Sequence, residues 1–152
     1  MKTLIPAVLA LSVILCMARD VPADPAGASN KLVVAVLNFE SGAKEQAAQA
    51  AAVPDLLAAR LGAQKDVQVV KIKKSVQDLG GDDAAVKAGK DAGARFVVSG
   101  RVYIVGKELW ITAKIVNTDN NKATAKVAKG PTDTKIEDLA AKLSQEILTS
   151  MK

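Results

Sequence analysis

The middle of the chain carries two segments in which apolar and polar side chains alternate with the period of a β-strand. In the first, one set of alternate positions is Phe96, Val98, Val102 and Ile104, and the other is Val97, Ser99, Arg101 and Tyr103. In the second, the two sets are Leu109, Ile111, Ala113 and Ile115, and Trp110, Thr112, Lys114 and Val116. Between them, Gly106 stands at the first central position of a two-residue turn, which favours type II′. The stretch 93–124 therefore predicts an antiparallel hairpin, around which we expect the other elements to be arranged.

Three further segments are predicted to be strands. The run 32–37 is apolar at every position, which is typical of a central strand covered on both faces. The segment 67–72 predicts a short strand, and the segment 122–129, after a turn over 118–121, completes a three-stranded meander. In this last strand we expect one set of side chains to point inward, namely Ala123, Ala125 and Val127, and the other outward, namely Lys122, Thr124 and Lys126.

The first predicted helix lies in the alanine-rich segment 46–62. Pro54 divides this segment, so we expect the helix to start near Val53, with Pro54 in the first turn, where its missing N–H does no harm. Gly62 is the expected C-cap. The expected buried stripe consists of Leu56, Leu57 and Leu61.

Two more helices follow. The segment 84–92 is predicted to be helical, capped by Asp82 or Asp83 and ended by Gly93. The closing helix is predicted to start with a capping box, because Glu137 stands three residues after Thr134. Its apolar stripe, which we expect to face the core, consists of Ile136, Leu139, Ala140, Leu143, Ile147 and Met151.

The order of these elements defines the expected fold class. Strand, helix, strand, helix, meander and helix together predict an α/β (α+β) two-layer sandwich, with three helices packed on a mixed sheet of about five strands. Within the sheet, Gly100 interrupts a strand, which indicates a bulge or the close approach of a helix, the alternative being a ligand that approaches the backbone. The predicted organisation is a signal peptide over 1–23, a flexible lead-in over 24–31 and a single domain over 32–152.

The N-terminal segment predicts export across a membrane. Lys2 supplies a positive start, and the apolar stretch 4–18 is short for a membrane span but suits a secretory signal. Small residues at 21–23 or 26–28 offer two cleavage sites, and either would release the protein into the periplasm. Cys16 raises an alternative, an outer-membrane lipoprotein acylated on that residue. Leu15 is bulky for the position before a lipidated cysteine, and the sequence leaves the processing site open.

Composition excludes several chemistries. The sequence has no His and one Cys, which lies in the predicted signal peptide. A zinc site of the usual kind, a Cys–His dyad and a Ser–His–Asp triad therefore lack their essential residues. The remaining acidic groupings are Asp82–Asp83 and the turn at Asp119, which a helix start and a turn explain. We expect no enzyme activity, no cofactor and no metal.

The charge of the chain does not indicate a nucleic-acid partner. The formal net charge is +5, and the basic residues are spread out apart from a small cluster formed by Lys71, Lys73 and Lys74. Nucleic-acid binding favours a strongly basic patch combined with a groove-reading element. The cluster is interpreted as charge that protects a strand end, the alternative being a contact with an anion or a partner.

Three stretches resemble a known superfamily: VAVLNFES, LLAARLGAQKDVQVVK and AGKDAGARFVVSGRVYIVGKELWITAKIVNTDNNKATA. They are similar to the TolB amino-terminal-like domain, to the curli-secretion (CsgG-like) family and to the LpoB-like lipoprotein activators of penicillin-binding proteins. The shared pattern G-A-x-[FY]-V-V-x-G-x-V is matched by Gly93, Ala94, Phe96, Val97, Val98, Gly100 and Val102. The glycine usual in the turn before the last meander strand is replaced by Asn120–Asn121. The resemblance covers about residues 32–150.

This resemblance implies a non-enzymatic adaptor that binds a protein partner within a bacterial envelope assembly. The alternative is a small lipoprotein subunit or activator of a curli-like secretion complex or a peptidoglycan-synthesis complex. The chain lacks the additional segments of a curli channel, which argues against a channel. A membrane partner is expected only if Cys16 is lipidated, and the oligomeric state stays open. A partner strand could add to the edge strand 122–129; alternatively, the lysines of that strand protect its edge.

Overall fold

A computed structural model describes residues 30–152 of the chain. The predicted signal peptide, both cleavage sites, Cys16 and most of the lead-in lie outside the described residues. The strands are β1 (Leu32–Leu37), β2 (Glu40–Ser41), β3 (Val67–Ile72), β4 (Phe96–Val105), β5 (Glu108–Asn117) and β6 (Ala123–Pro131). The helices are α1 (Ala47–Gly62), α2 (Val76–Leu79), α3 (Asp82–Asp91) and α4 (Ile136–Ser150), and a 3₁₀ turn covers Lys44–Gln46.

The strands form one mixed sheet of six strands in the order β3-β1-β4-β5-β6, with the short β2 paired to β4. β1 runs parallel to β3 and β4, whereas β4, β5 and β6 form the antiparallel meander that the alternating segments predict. Gly106 has a positive φ of 62° in the turn between β4 and β5, and Lys107 does not, which fits the predicted type II′ turn. The predicted α/β sandwich is confirmed.

Helices pack on both faces of the sheet. α1 and α4 form the main helical layer, which buries alternate side chains of β1, β4 and β5, including Val36, Val98 and Ile111, each 0% exposed. α2 and α3 cover the opposite face near β1, where Ala35, Leu37 and Val97 are buried. β1 is therefore the central strand covered on both faces that its continuous apolar run predicts.

α1 begins at Ala47 and continues through Pro54, so the predicted start near Val53 is wrong. A proline inside a helix costs about 3 kcal/mol, because it lacks an N–H and crowds the carbonyl four residues earlier. Burial of Val53, Leu57 and Leu61, all 0% exposed, offsets this cost at about 1.5–3 kcal/mol for each side chain. The helix ends with Gly62 as its last residue, so Ala63 takes the predicted C-cap position of that glycine.

The side chains of β6 point to the opposite faces of the sheet from those predicted. Val127 is 45% exposed, whereas Ala128 is 1% exposed and packs in the main core. The pairing with β5 explains this difference, because Ala128 lies directly opposite the buried Ile111, and opposite residues in an antiparallel pair share a face. Ala123 and Ala125, also predicted to point inward, share the outer face with Val127, while Thr124 and Lys126 lie on the side of α4.

Two helix caps differ from the prediction. α4 starts after Lys135, and no side chain caps it, so the Thr134–Glu137 capping box is absent. A capping box is present instead at α2, where the Ser75 hydroxyl accepts from the N–H of Asp78 and the Asp78 carboxylate accepts from the N–H of Ser75. α3 is preceded by Gly81, so Asp82 and Asp83 lie in its first turn. Gly93 follows its C-cap with a φ of 73°, as predicted.

Candidate interaction surface

One side of the meander is left uncovered by the helices, and we call this surface the open face. α2 and α3 pack over β1 and the start of β4, but beyond them the outward side chains of β4, β5 and β6 face solvent. The open face consists of Arg101, Tyr103, Val105, Glu108, Trp110, Thr112, Lys114, Ala125, Val127 and Lys129, whereas Ser99, on the same side of β4, is buried. An antiparallel sheet can keep one face in water, so the fold tolerates this exposure.

An aromatic row crosses the open face near the hairpin turn. Tyr103 lies opposite Trp110, and their ring centroids are 6.1 Å apart with an angle of 25° between the planes. Lys129 lies opposite Trp110 on the next strand, and its Nζ is 4.7 Å from the indole centroid. Cross-strand aromatic and cation–π contacts of this kind fix the side chains in place. The row is bordered by two exposed valines, Val105 at 52% and Val127 at 45% exposure.

A groove of about 690 Å³ lies between this face and the start of α3. Its walls carry two ion pairs: Glu40 with Arg101, at 2.7 Å, and Asp82 with Lys114, at 2.6 Å. Arg101 donates to Glu40 through both Nε and Nη2, at 3.3 and 2.7 Å, and the N–H of Gln77 also donates to Glu40. Because both pairs are partly exposed, they contribute little to stability. Their main effect is to hold cationic and anionic side chains in fixed positions around the groove.

Phe39 supports the strand behind the groove. Its ring, 6% exposed, lies in the main core against Gly100, where an added Cβ would clash with the ring and with the carbonyl oxygen of Thr112. The structure therefore shows a close approach at Gly100, but the group that approaches is the phenylalanine ring of the loop after β1 and not the predicted helix. This packing places β2, with Glu40, beside Arg101 of β4.

Trp110 carries a buried polar atom without a partner. Among the described residues, its Nε1 is one of two buried side-chain atoms that have no hydrogen bond, the other being Oε1 of Gln49. A buried indole N–H usually finds an acceptor. Since Trp110 is the single tryptophan of the chain, its fluorescence reports directly on this face.

The acidic residues considered for catalysis do not come together. Asp82 pairs with Lys114 at the groove, whereas Asp119 pairs with Arg95 near the far end of β4, at 3.3 Å. Glu40 and Asp82 line the same groove, but each of them forms an ion pair with a basic side chain. In residues 30–152 no group of three or more His, Cys, Asp or Glu is placed to hold a metal ion.

The small lysine cluster is distributed around one end of the edge strand β3. Lys71 pairs with Asp55 of α1, and the carbonyl of Lys74 accepts from the N–H of Asn38. Lys71 therefore joins the edge strand to a helix, and the protection of a strand end by this cluster stays a prediction. Within the described part of the chain, no helix is both long and apolar enough to span a bilayer.

The chain was compared with protein families, curated proteins and solved structures. Neither a protein-family model nor a curated protein matches the sequence. Solved structures do match. A PelC variant dodecamer from Paraburkholderia phytofirmans is 18% identical, over 79% of this chain and 87% of that chain, with a TM-score of 0.53.

Two other solved structures match with similar scores. TolB from Acinetobacter baumannii has a TM-score of 0.59 at 9% identity, over 80% of this chain but 28% of that chain. The LpoB C-terminal domain from Salmonella enterica has a TM-score of 0.52 at 14% identity, over 68% and 84%. The chain therefore has the fold that these proteins share. This confirms the TolB-like and LpoB-like parts of the resemblance at the level of the fold, and the curli-secretion part stays a prediction.

The sequence indicates part of this surface in advance. Strand alternation places Arg101 and Tyr103 on one face of β4, and Trp110 and Lys114 on one face of β5, which the structure confirms. It does not indicate that Glu40 joins them, because β2 has only two residues and no pattern of its own. The sequence feature that could have indicated this position is an acidic residue, Glu40, directly after Phe39.

Proposed function

We propose that this chain is a non-enzymatic binding domain of the bacterial cell envelope, and that it contacts a protein partner through the open face. The observation that carries the proposal is the uncovered row of Tyr103 and Trp110, flanked by exposed valines and by Arg101. Protein interfaces are enriched in Tyr, Trp and Arg, and buried residues of these types dominate the binding energy. An exported adaptor needs such a surface and no catalytic group.

The envelope location rests on the predicted signal peptide and on the superfamily that the sequence resembles. The shared fold supports this assignment, although a fold by itself does not determine a function. PelC with this fold is a dodecamer, so assembly into a larger complex is compatible with the architecture. An envelope-assembly subunit and a regulator of another envelope protein both require a partner-binding face.

Two adjacent residues offer a matched test of the open face. Val105 points to the open face and Ile104 to the opposite one, and they are 52% and 40% exposed. A photo-crosslinking amino acid at position 105, in the protein expressed in its native host, is expected to capture an envelope protein that position 104 does not capture. Val105→Asp should weaken binding of that partner about tenfold, because it places a charge in the interface, and Ile104→Asp should not.

The proposal fails if both positions give the same products, or if neither gives a product at any growth stage. Intact mass of the protein from the envelope fraction tests its export separately. A mass that begins after Ala23 or Ala28 supports a soluble periplasmic adaptor. A mass that begins at Cys16 with added acyl chains supports the lipoprotein alternative.

A further inference from the structure

β6 is an edge strand whose backbone is available for pairing. It is the last strand in the sheet order and has nine residues, which is long for an edge strand. Its register with β5 is continuous from the pair Glu108–Pro131 to the pair Val116–Ala123, without a bulge. Its proline, Pro131, stands at the last position. The strand therefore lacks a bulge and an internal proline, two of the devices that usually block an edge.

The hydrogen-bond pattern shows which backbone groups of β6 are free. The N–H of Asn117 donates to the carbonyl of Lys122, and the N–H of Thr132 donates to the carbonyl of Lys107, so these pairs are the hydrogen-bonded ones. In an antiparallel ladder such pairs alternate with pairs whose N–H and C=O groups point away. The residues that present both groups to the free edge are Ala123, Ala125, Val127 and Lys129.

The lysines of β6 are drawn back from this edge. Lys126 reaches Glu146 of α4 at 3.5 Å, and its side chain is 29% exposed. Lys129 lies over Trp110 and is 3.8 Å from Glu108. The free edge is therefore bordered by the small side chains of Ala123 and Ala125 and by the exposed Val127. This arrangement weakens the alternative in which the lysines protect the edge.

Charge determines the kind of strand that fits. From Lys122 to Pro131 the chain has three lysines and no acidic residue. A second copy of β6 would bring lysines close to lysines, which is unfavourable, whereas an acidic strand would pair with them. Val127 offers an apolar contact on the open face beside Lys129, whereas Lys126 would meet an acidic neighbour on the side of α4.

We propose that β6 accepts an extended, acidic segment of a partner protein, which contains an apolar residue to meet Val127 and adds as a seventh strand. This inference rests on the proposed protein-binding function and specifies where and how the partner attaches. Main-chain hydrogen bonds provide the affinity, and the alternating side chains of the segment provide the specificity. The added strand extends the open face, so a partner that binds here also contacts the aromatic row.

The test uses a defined peptide rather than an unidentified partner. A capped seven-residue peptide with valine at its centre and glutamate at the other positions is titrated into the ¹⁵N-labelled protein, and amide exchange is measured residue by residue. The amides of Ala123, Ala125, Val127 and Lys129 are expected to shift and to exchange more slowly. A control peptide with lysine in place of glutamate should bind at least tenfold more weakly. The difference should shrink in high salt.

Two variants test separately how main-chain hydrogen bonds and how charge contribute to peptide binding. Val127→Pro removes one outward N–H without removing a bond to β5, and should weaken peptide binding about tenfold. Lys122→Glu combined with Lys129→Glu keeps every N–H and should weaken binding by a similar factor. The matched control is Lys87→Glu combined with Lys142→Glu, which makes the same change in net charge on exposed helix positions and should leave binding unchanged.

Several outcomes would overturn this inference. Shifts confined to the groove, with no protection along β6, would place the peptide elsewhere. Protection of the same amides without peptide, growing with protein concentration, would show that a second copy occupies the edge. If Val105→Asp abolishes capture of the cellular partner but Val127→Pro does not, the open face binds and the edge does not. If neither position yields a partner, the proposed function itself fails.

Discussion

At the scale of single residues, Gly100 shows how one absent side chain shapes the surface. Its lack of a Cβ lets the Phe39 ring and β5 approach β4, and this contact holds the loop that carries Glu40. The resemblance includes this glycine and the phenylalanine as separate parts of a sequence pattern. In the structure the two residues are in contact, because the Phe39 ring fills the space that a side chain at position 100 would occupy.

Gly100→Ala is expected to destabilise the protein by about 1–3 kcal/mol, because the added methyl group overpacks the core against Phe39 and the Thr112 carbonyl. Gly62→Ala is the matched control. At Gly62 the new Cβ would come no closer than 3.8 Å to Val69, and the residue is helical, so alanine should stabilise by about 0.5–1 kcal/mol. Urea unfolding of the two variants measures both values. Equal effects of the same sign would contradict this account of Gly100.

At the scale of elements, α2 shows how a helix of four residues persists. It is too short to be stable alone, but the Ser75–Asp78 capping box satisfies its first N–H groups, and Gly80 ends it with a φ of 94°. The main-chain N–H of Ser75, and then its hydroxyl, lower the pKa of Asp78 below its usual 3.8. The charged form of Asp78 therefore favours the folded state.

A lowered pKa in the folded state stabilises the protein above the unfolded value, and this contribution is lost as pH falls below about 3.8. Asp78→Asn is therefore expected to reduce the free energy of unfolding at pH 7, and the difference from the original protein should vanish in strong acid. Urea unfolding at pH 7 and near pH 3 measures it. Asp83→Asn, in the exposed first turn of α3, is the control for loss of a charge. A gap that stays constant with pH would contradict the role of Asp78.

The facing of β6 also belongs to the scale of elements. From its own sequence, the set Ala123, Ala125 and Val127 is the more apolar one, and local pattern assigns it to the core. The register with β5 decides otherwise, because a shift by one residue exchanges the two faces of a strand. The pair Ile111–Ala128 places an alanine under α4 and leaves Val127 outside.

At the scale of the whole molecule, β1 joins the two cores. Leu37 lies in the core covered by α2 and α3, whereas Leu143 of α4 lies in the main core, and both are 0% exposed. Alternate residues of β1 belong to the two different cores. If either helical layer unfolded, it would therefore expose one face of β1 to water. We therefore expect one cooperative unfolding unit.

Leu37→Ala and Leu143→Ala should each destabilise the protein by about 2–5 kcal/mol, because each leaves a cavity in a closely packed core. In both variants, Trp110 fluorescence and far-ultraviolet circular dichroism should give superimposable urea transitions. An early loss of helical signal in Leu37→Ala, with the fluorescence transition unchanged, would instead show that α2 and α3 unfold independently.

The sequence by itself determined the features that depend on neighbours along the chain. The strands 32–37 and 67–72, the alternation of β4 and β5, the turn at Gly106 and the buried stripe of α4 all arise from local periodicity and turn chemistry, which the sequence displays directly. The absence of histidine and cysteine from residues 30–152 is likewise a matter of composition. Tertiary structure alone decided the passage of α1 through Pro54, the facing of β6 and the position of Glu40 beside Arg101. Each depends on contacts between segments far apart in the chain, whose energies exceed the local preferences that the sequence reveals.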